Sequence, residues 1–227
     1  MKKRSIVVIH LLIMSVLLLA LTTGCKKETE DLTVTDIDGN VYQTVTIGSQ
    51  VWLKENLKTT RYRNGDPIPN VTDDAQWLSL SGGAYCNYDN ISSNSATYGL
   101  LYNWDAVIDP RNICPAGWHI PSDTEWKTLI DNLGGEEVAG GKLKEKGTAH
   151  WISPNTDAID QYGFKALPAG YRLGGTFQQP GYYATWWSRT EKNLADAWII
   201  TLINSKSKAY IEGAYKIDGH SVRCVRD

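Results

Sequence analysis

An α+β domain that is rich in loops is the fold class that the sequence predicts, with short antiparallel strands and one or two main helices. Three observations support this class. Residues 122–133 have the complete pattern of a capped amphipathic helix. Short apolar and aromatic segments toward both ends of the chain alternate as β-strands do. The stretch between them, above all residues 59–94, is rich in Asn, Asp, Ser, Gly and Pro, which favour turns and loops.

The clearest helix begins at a capping box. Ser122 can accept a hydrogen bond from the backbone N–H of Glu125, and the Glu125 carboxylate can reach back to the N–H of Ser122. Four apolar residues then recur at helical spacing and would form one buried stripe: Trp126, Leu129, Ile130 and Leu133. Gly134 and Gly135 follow, where a residue in the left-handed conformation is expected to end the helix.

The other elements are predicted from alternation and from turn residues. Residues 33–57 are expected to form a hairpin or meander, and the polar groups of Glu55 and Asn56 are expected to bond locally in a turn at its end. Short helices are expected in three further segments: 73–80, 98–107 and 139–145. Further strands are expected in five segments: 84–88, 185–190, 197–202, 208–215 and 220–225.

The N-terminal segment has the layout of a bacterial lipoprotein signal. Basic residues from Lys2 to Arg4 precede an almost wholly apolar run from Ile6 to Leu21, as in a secretory signal peptide. The segment ends in Gly24-Cys25 and resembles a lipobox, so residues 1–24 would be removed and Cys25 would carry the lipid. A transmembrane anchor is the alternative, but an apolar run of about 16 residues is short for a bilayer span.

Residues 25–32 are predicted to be a polar, lipidated tether that leads to a single domain over residues 33–227. Its acidic residues resemble the surface-export signals of Bacteroidetes lipoproteins, although a solvated spacer is the alternative. The protein is therefore expected at the outer membrane, either exposed on the cell surface or facing the periplasm. Without residues 1–24 the chain keeps 20 basic and 25 acidic residues, a formal charge of −5, and shows no basic face. Nucleic acid is therefore not expected as a partner.

Cysteine usage fits an exported protein. Beyond Cys25 the chain has three cysteines, which permit one disulfide and one remaining thiol. We favour a Cys114–Cys224 pair, which would tie the segment before the main helix to the end of the chain. Cys86 would then be a buried free thiol or, less favoured, an intermolecular partner. The cysteine spacing fits no zinc site.

No residue pattern in the sequence specifies a catalytic or metal centre. The three histidines that follow the signal segment are isolated from one another: His119, His150 and His220. His119 is expected to have a structural role. The acidic loop from Asp36 to Asn40 lacks the bidentate glutamate of an EF-hand, so a turn is favoured there. The segment around Ser188 has no nucleophile elbow. The sequence therefore predicts a protein that is not an enzyme and that uses no metal or cofactor.

Aromatic residues supply the candidate ligand-binding site. The chain has nine Trp and 12 Tyr but only two Phe, a balance that suits either a core with buried hydrogen bonds or a sugar-binding surface. Trp186 and Trp187 should point to opposite faces of a strand, so one is expected in the core and the other free for a ligand. The candidate ligand-binding residues are Trp77, Tyr182, Tyr183, Trp187 and Arg189. The first three lie in turn-rich stretches and are expected to be the best exposed.

Six phrases occur in a fixed order along the chain: Val51–Leu57, Tyr98–Trp104, Cys114–Pro121, Leu167–Arg172, Trp186–Ser188 and Ser221–Arg226. Together they resemble the Fibrobacter succinogenes major paralogous domain family, and the likeness covers nearly all of residues 36–227. Members of this family are mostly exported or lipid-anchored bacterial proteins without an established biochemical activity. The resemblance therefore implies a fold and a location in the cell envelope, but no reaction.

A more distant resemblance concerns the architecture. A Cys before a capped helix, Trp-containing strands and a Cys in the last strand are similar to the C-type-lectin-like layout. Residues 222–226 also resemble the end of formylglycine-generating-enzyme-type domains, which share this layout, and the likeness supports the Cys114–Cys224 pair. The likeness implies neither the sugar binding of C-type lectins nor the activity of the formylglycine-generating enzymes. The sequence lacks the calcium-site triplet of sugar-binding lectins and the paired reactive cysteines of those enzymes.

The sequence thus predicts a lipid-anchored envelope protein whose domain recognises a glycan or an envelope protein without catalysis. Two alternatives stay open: a structural or adhesive surface module without a small ligand, and a hydrolase with unrecognised catalytic residues. An open aromatic cluster with polar neighbours would favour a glycan binder. Buried tryptophans and a flat polar face would favour a structural module. Convergent carboxylates, or a His in a deep cleft, would favour an enzyme.

Overall fold

Strands outnumber helices in residues 33–227, the part of the chain that a computed structural model of the protein describes. Twelve strands and five short α-helices occur in these residues, with three strands before the first helix and six after the last one, in agreement with the predicted α+β class. The expected signal segment, the lipidated Cys25 and the tether lie outside the described residues. Between Thr33 and Asp227, no helix combines the length and the apolar character that a bilayer span requires.

An antiparallel sheet of five strands joins the two ends of the domain. Its strands are β1 (Thr33–Thr35), β2 (Val41–Ile47), β3 (Gln50–Leu53), β12 (Val225–Arg226) and β6 (Trp118–His119), in that spatial order. β12 comes from the end of the chain, and its Val225 lies opposite both Trp52 and His119. The strands predicted within residues 33–57 are confirmed, whereas the strand predicted over 220–225 is reduced to β12.

A second sheet contains the three longest strands of the C-terminal half. They are β9 (Tyr183–Glu191), β10 (Asp196–Ile203) and β11 (Ala209–Tyr215), and β10 lies between the other two in an antiparallel arrangement. All three were predicted, over residues 185–190, 197–202 and 208–215, and are confirmed. Two small hairpins complete the strand list: β4 (Tyr85–Cys86) with β5 (Leu101–Tyr102), and β7 (Tyr171–Leu173) with β8 (Thr176–Gln178).

The five helices are short and lie between the strands. They are α1 (Asp74–Leu78), α2 (Asn94–Tyr98), α3 (Trp104–Ile108), α4 (Asp123–Asn132) and α5 (Glu136–Leu143). The prediction of one helix over 98–107 is wrong in its first half, where β5 lies instead. Tyr102 exchanges backbone hydrogen bonds with His220, which holds it extended. Helix α3 begins only after this contact, capped by the side chain of Asn103.

Helix α4 has the predicted capping box. The backbone N–H of Glu125 donates to Ser122 Oγ at 3.2 Å, and the N–H of Ser122 donates to Glu125 Oε2 at 2.8 Å. All four residues of the predicted stripe are buried: Trp126, Leu129, Ile130 and Leu133. Gly134 and Gly135 have positive φ angles of 96° and 93°, as a left-handed helix end requires.

The stripe of α4 packs into a core that lies between the two sheets. The Trp126 ring lies 4.6 Å from that of Trp52 on β3 and 5.9 Å from that of Trp186 on β9. Ile200 and Leu202 of β10 extend this core on the face of the second sheet that Trp186 occupies. The helix therefore covers one face of the second sheet and leaves the other face to the rest of the domain.

Asn56 connects four separate segments through its buried carboxamide. Its Oδ1 accepts hydrogen bonds from Trp186 Nε1 at 2.8 Å and Arg223 Nη2 at 2.9 Å. Its Nδ2 donates to the Tyr98 carbonyl at 2.9 Å and to Ser221 Oγ at 3.3 Å. The predicted local turn bonding of Asn56 is therefore wrong. The amide is buried among distant segments, and only these can satisfy its two donors and its acceptor.

The predicted Cys114–Cys224 disulfide is confirmed, with a sequence separation of 110 residues. It joins the segment before α4 to the last strand of the first sheet. Cys86 is a free, buried thiol whose pKa burial raises to about 11, against the opposing effect of the nearby Arg172 guanidinium.

Asn56→Ala is expected to lower the free energy of unfolding by about 3 kcal/mol, because it leaves the buried donors of Trp186 and Arg223 without their shared acceptor. The melting temperature should fall by about 6–12 °C. Urea denaturation followed by tryptophan fluorescence measures the change. Gln161→Ala, at an exposed position, is the control and should shift stability by less than about 0.5 kcal/mol. A loss below about 1 kcal/mol for Asn56→Ala would contradict the role assigned to this amide.

Removing the disulfide in a Cys114→Ala/Cys224→Ala variant is expected to lower the free energy of unfolding by about 4–5 kcal/mol, because the crosslink closes a loop of 110 residues. Cys86→Ala is the control, and its effect should be much smaller. A non-reducing peptide map of the native protein should contain the Cys114–Cys224 peptide pair. Cys86 should be alkylated only after denaturation. A peptide that links Cys86 to either partner would overturn the pairing.

Candidate functional site

A cavity of about 430 Å³ opens over the second sheet, on the face away from α4. We call it the tyrosine cavity, after Tyr171, Tyr183 and Tyr215, which line it. Thr185 of β9 and Thr201 of β10 are direct cross-strand partners and lie on this face of the sheet. The remaining lining residues are Leu173, Asp196, Ile199, Glu212, Gly213, Ala214, Asp218 and His220. Both its volume and its mixture of aromatic and polar side chains fit a small-molecule site.

The hairpin β7–β8 forms one wall of the cavity because the chain before it runs close to β9. Gly170 is also close to β8: its φ is 66°, and a Cβ atom there would lie 2.5 Å from the Gln178 carbonyl oxygen. The Gly170 N–H donates to the Tyr183 carbonyl at 2.9 Å. On the other side of the hairpin, Arg172 and Gly219 exchange backbone hydrogen bonds of 2.8 and 2.7 Å. These contacts hold Tyr171 opposite the sheet.

His220 is the most deeply buried titratable residue that lines the cavity. Burial lowers the pKa of its imidazole to about 3, so the ring is neutral at physiological pH. Its Nδ1 lies 2.8 Å from Thr185 Oγ1, and that hydroxyl donates to the Gly170 carbonyl at 3.4 Å. We assign the hydroxyl proton to the Gly170 carbonyl, so that Nδ1 donates to Thr185 Oγ1 and Nε2 is an acceptor. The rings of Tyr171, stacked at 5.6 Å, and Trp187, edge-on at 4.5 Å, fix the imidazole.

Two residues that line this cavity each have a buried polar atom without a hydrogen-bond partner within the described chain: His220 (Nε2) and Thr201 (Oγ1). Six buried side-chain atoms of residues 33–227 share this property, but none of the other four belongs to a residue that lines the cavity. Buried polar groups are normally hydrogen-bonded. Both atoms belong to residues that line one cavity, which singles this cavity out as the candidate site.

Three carboxylates make the cavity electronegative. Asp218 is buried, and its pKa is raised to about 6, chiefly by burial. Backbone hydrogen bonds from Gly174 and Tyr215 oppose this shift, and the charge of Asp196 adds to it. Glu212 is the third carboxylate and lies on an exposed position of β11. The lining contains no Lys or Arg. In the described residues, these acids belong to no group that could hold a metal ion.

The structure brings only one predicted ligand residue, Tyr183, into this cavity. Tyr182 is 40% exposed, as expected, but does not line the cavity. Trp187 lies on the cavity's face of β9 yet is fully buried, because His220 and the Tyr102 carbonyl cover its ring. Trp186 is buried in the core on the opposite face. The expectation that one of these two tryptophans is free for a ligand is therefore wrong.

The predicted exposure of Trp77 is also wrong. Its ring is fully buried, its Nε1 donates to the Ile217 carbonyl at 2.7 Å, and the Arg172 guanidinium lies 4.3 Å above it. Arg172 is itself buried and forms an ion pair of 2.7 Å with Asp74 at the start of α1. Because a buried guanidinium needs both a counter-charge and a flat apolar surface, Trp77 serves as its packing partner.

Arg189 lies in a different pocket, which it lines together with His119, Asp109 and other residues. His119 lies between two carboxylates: its Nε2 is 2.7 Å from Glu125 Oε1, and its Nδ1 is 2.6 Å from Asp227 Oδ1. Both ring nitrogens are thus engaged in contacts that join α4 to the last residue. This arrangement agrees with the structural role expected for His119.

Sequence reasoning missed most of the residues that form the cavity, among them Tyr171, Thr201, Asp218 and His220. Two signals pointed toward them. Tyr171 belongs to one of the six ordered motifs, and Asp218-Gly219-His220 repeats the turn-like pattern of Asp38-Gly39-Asn40. In the first of these turns, Asp36 Oδ1 accepts hydrogen bonds from the backbone N–H groups of Asp38 and Asn40. These bonds confirm the turn expected there.

Comparison with known proteins identifies the family of this chain. No curated protein matches the chain. The family model described as Fibrobacter succinogenes major domain matches residues 45–226, a stretch that includes both sheets' central strands, the disulfide and the whole tyrosine cavity. Because this match spans most of the sequence, the protein belongs to the Fibrobacter succinogenes major domain family.

Proposed function

We propose that this protein is a lipid-anchored module of the bacterial envelope that recognises a glycan in the tyrosine cavity without catalysing a reaction. The observation that carries the proposal is the pairing of aromatic rings with unpartnered buried polar atoms in one cavity. Sugar sites combine an apolar ring surface with hydrogen-bonding groups that read the hydroxyls. Tyr171 and Tyr183, whose rings lie 6.2 Å apart, supply the first, and His220 and Thr201 supply the second.

The proposed cellular location rests on the N-terminal sequence. A basic start, an apolar run and Gly24-Cys25 form the layout of a lipoprotein signal. We propose that Cys25 carries the lipid and that residues 25–32 tether the domain to the outer membrane, either on the surface or toward the periplasm. The disulfide supports export, because such bonds persist in oxidising compartments.

We also propose that the architecture is C-type-lectin-like. Three features support it: Cys114 precedes the capped helix α4, its partner Cys224 adjoins the last strand, and the second sheet carries the cavity. The first sheet combines strands from both ends of the domain, since β12 pairs with β3. This architecture does not by itself bring a calcium-dependent site.

Tyr183→Ala is expected to weaken glycan binding about 3- to 10-fold, because it removes a ring that lines the cavity. A glycan array with the full chain in mild detergent would find the ligand class, and titration with the best ligand would measure the loss. Tyr182→Ala is the matched control, since the neighbouring ring is exposed but does not line the cavity. Equal losses in both variants would contradict the assignment of the site.

The same array separates the rival functions. Binding to no glycan, with or without calcium, would sink the glycan proposal and favour an envelope protein partner or a structural role. Release of shortened saccharides from a bound glycan would identify a hydrolase, with Asp218 as the candidate acid because its pKa is raised. Binding that requires calcium would reveal a metal site outside the groups described above.

Cys25→Ser is expected to abolish incorporation of radiolabelled palmitate, because the proposed lipid is carried by that sulfur. Metabolic labelling of the expressing bacterium, followed by immunoprecipitation, measures it. Cys86→Ser, which removes a different sulfur, should keep the label and is the control. Persistent labelling of the Cys25→Ser protein would disprove the anchor and leave the cavity assignment untouched.

A further inference from the structure

We infer that the tyrosine cavity selects a saccharide unit that carries a free, protonated amine, such as a non-acetylated amino sugar. The inference rests on the proposed glycan function and specifies its ligand class. It is drawn from three features of the cavity: the sign of its charge, the hydrogen-bonding character of its unpartnered atoms, and the aromatic rings beside them.

The charge of the cavity calls for a cation. Asp196, Glu212 and Asp218 line it, and none of them takes part in an ion pair among residues 33–227. Asp218 is 3% exposed, and a buried carboxylate without a cationic partner is costly. Its Oδ1 accepts a hydrogen bond of 2.8 Å from the Gly174 N–H, a neutral donor. A ligand cation would supply the missing counter-charge.

The unpartnered atoms call for a hydrogen-bond donor. With the ring proton assigned to Nδ1, which donates to Thr185, His220 Nε2 is an acceptor. The carboxylates accept as well, and Thr201 Oγ1 can either accept or donate. An ammonium group has three N–H donors and no acceptor, which matches this set. An acetamido group would instead place a carbonyl oxygen and a methyl group among acceptors.

The aromatic rings favour an amine on a sugar over a bare metal ion or a flexible amine. The described carboxylates form no metal-binding group. Tyr171, Tyr183 and Tyr215 present ring surface to the same space as the carboxylates, so a ligand with an apolar face next to its charge fits both. The volume of about 430 Å³ lies toward the small end of ligand sites and fits one or two sugar rings.

The proposal predicts a dependence on pH with a defined sign. The pKa of Asp218 is raised to about 6 without ligand, so part of this carboxyl is protonated near that pH. A cation binds the ionised form, so affinity should be highest between the pKa of Asp218 and that of the ligand amine, and should fall as pH drops through about 6. The other titratable groups of the lining are Asp196, Glu212, the three tyrosines and His220, whose pKa burial keeps near 3. At pH 5.5–6, binding should release a proton from Asp218 to the buffer.

Isothermal titration of the full chain in mild detergent tests the inference. The probes are a β-1,4-linked glucosamine disaccharide, its N,N′-diacetyl counterpart and putrescine. We expect the free disaccharide to bind at least tenfold more tightly than the acetylated one, and tenfold more tightly than putrescine. At pH 5.5 its affinity should fall several-fold, and its heat should vary with the ionisation enthalpy of the buffer.

Two variants at the cavity and one control locate the effect. Asp218→Asn should abolish the preference for the free amine and the pH dependence near 6. Because this buried substitution can affect folding, Glu212→Gln at an exposed position of β11 is the second variant, with an expected loss of about threefold. Glu191→Gln, which makes the same charge change on β9 outside the cavity, should leave binding unchanged.

Each outcome has one meaning. Equal or tighter binding of the acetylated disaccharide would overturn the amine inference and leave the glycan function in place. Equal binding of putrescine would keep the cation preference but overturn the sugar, and with it the proposed function. Binding to none of the three probes at millimolar concentration would overturn the inference. A pH dependence that persists in Asp218→Asn would exclude Asp218 as its source.

Discussion

The buried carboxamide of Asn56 is the constraint on which the arrangement of the domain depends. It joins the end of β3 to Trp186 on β9, 130 residues away, and to Arg223, 167 residues away. All four of its hydrogen bonds go to other segments, so none of them can be replaced by local rearrangement. Because Trp186 also packs against α4, the amide fixes the position of the second sheet relative to the first.

The same constraint places the tyrosine cavity. The last segment of the chain is held at Ser221 and Arg223 by Asn56, and at Cys224 by the disulfide. Just before it, His220 pairs with Tyr102 through the backbone, and Gly219 pairs with Arg172. His220 is thereby set between two small hairpins and over the sheet. The segment therefore contributes Asp218 and His220 to the lining of the cavity.

Features that depend on near neighbours in the sequence could be predicted. The capping box at Ser122, the stripe that begins at Trp126 and the apolar and aromatic segments of β9 and β10 each involve residues within a few positions of one another. The pairing of Cys114 with Cys224 was supported by the order of elements in a similar layout. In contrast, Trp77 lies in a turn-rich stretch, which suggested exposure. Its burial follows from Arg172, 95 positions further along the chain, whose own partners no local pattern reveals.

Lys144 is a buried charge whose hydrogen bonds are all supplied by the protein itself. Its ammonium group is fully buried, and it donates to the carbonyls of Thr156, Ile203, Asn204 and Lys206 at 2.8–3.3 Å. Burial lowers its pKa to about 8, but its charge is surrounded by oxygen atoms on several sides.

Asp218 and His220 differ from Lys144 in this respect. A chain that supplies four carbonyls to one lysine, and four hydrogen bonds to one asparagine, can satisfy buried polar groups within its own structure. It leaves His220 Nε2 and Thr201 Oγ1 without partners, and Asp218 without a counter-charge, in one cavity that also contains three tyrosine rings. Unpartnered groups that are gathered in this way are what a binding site requires, since a ligand gains affinity only from contacts that the protein does not already make with itself.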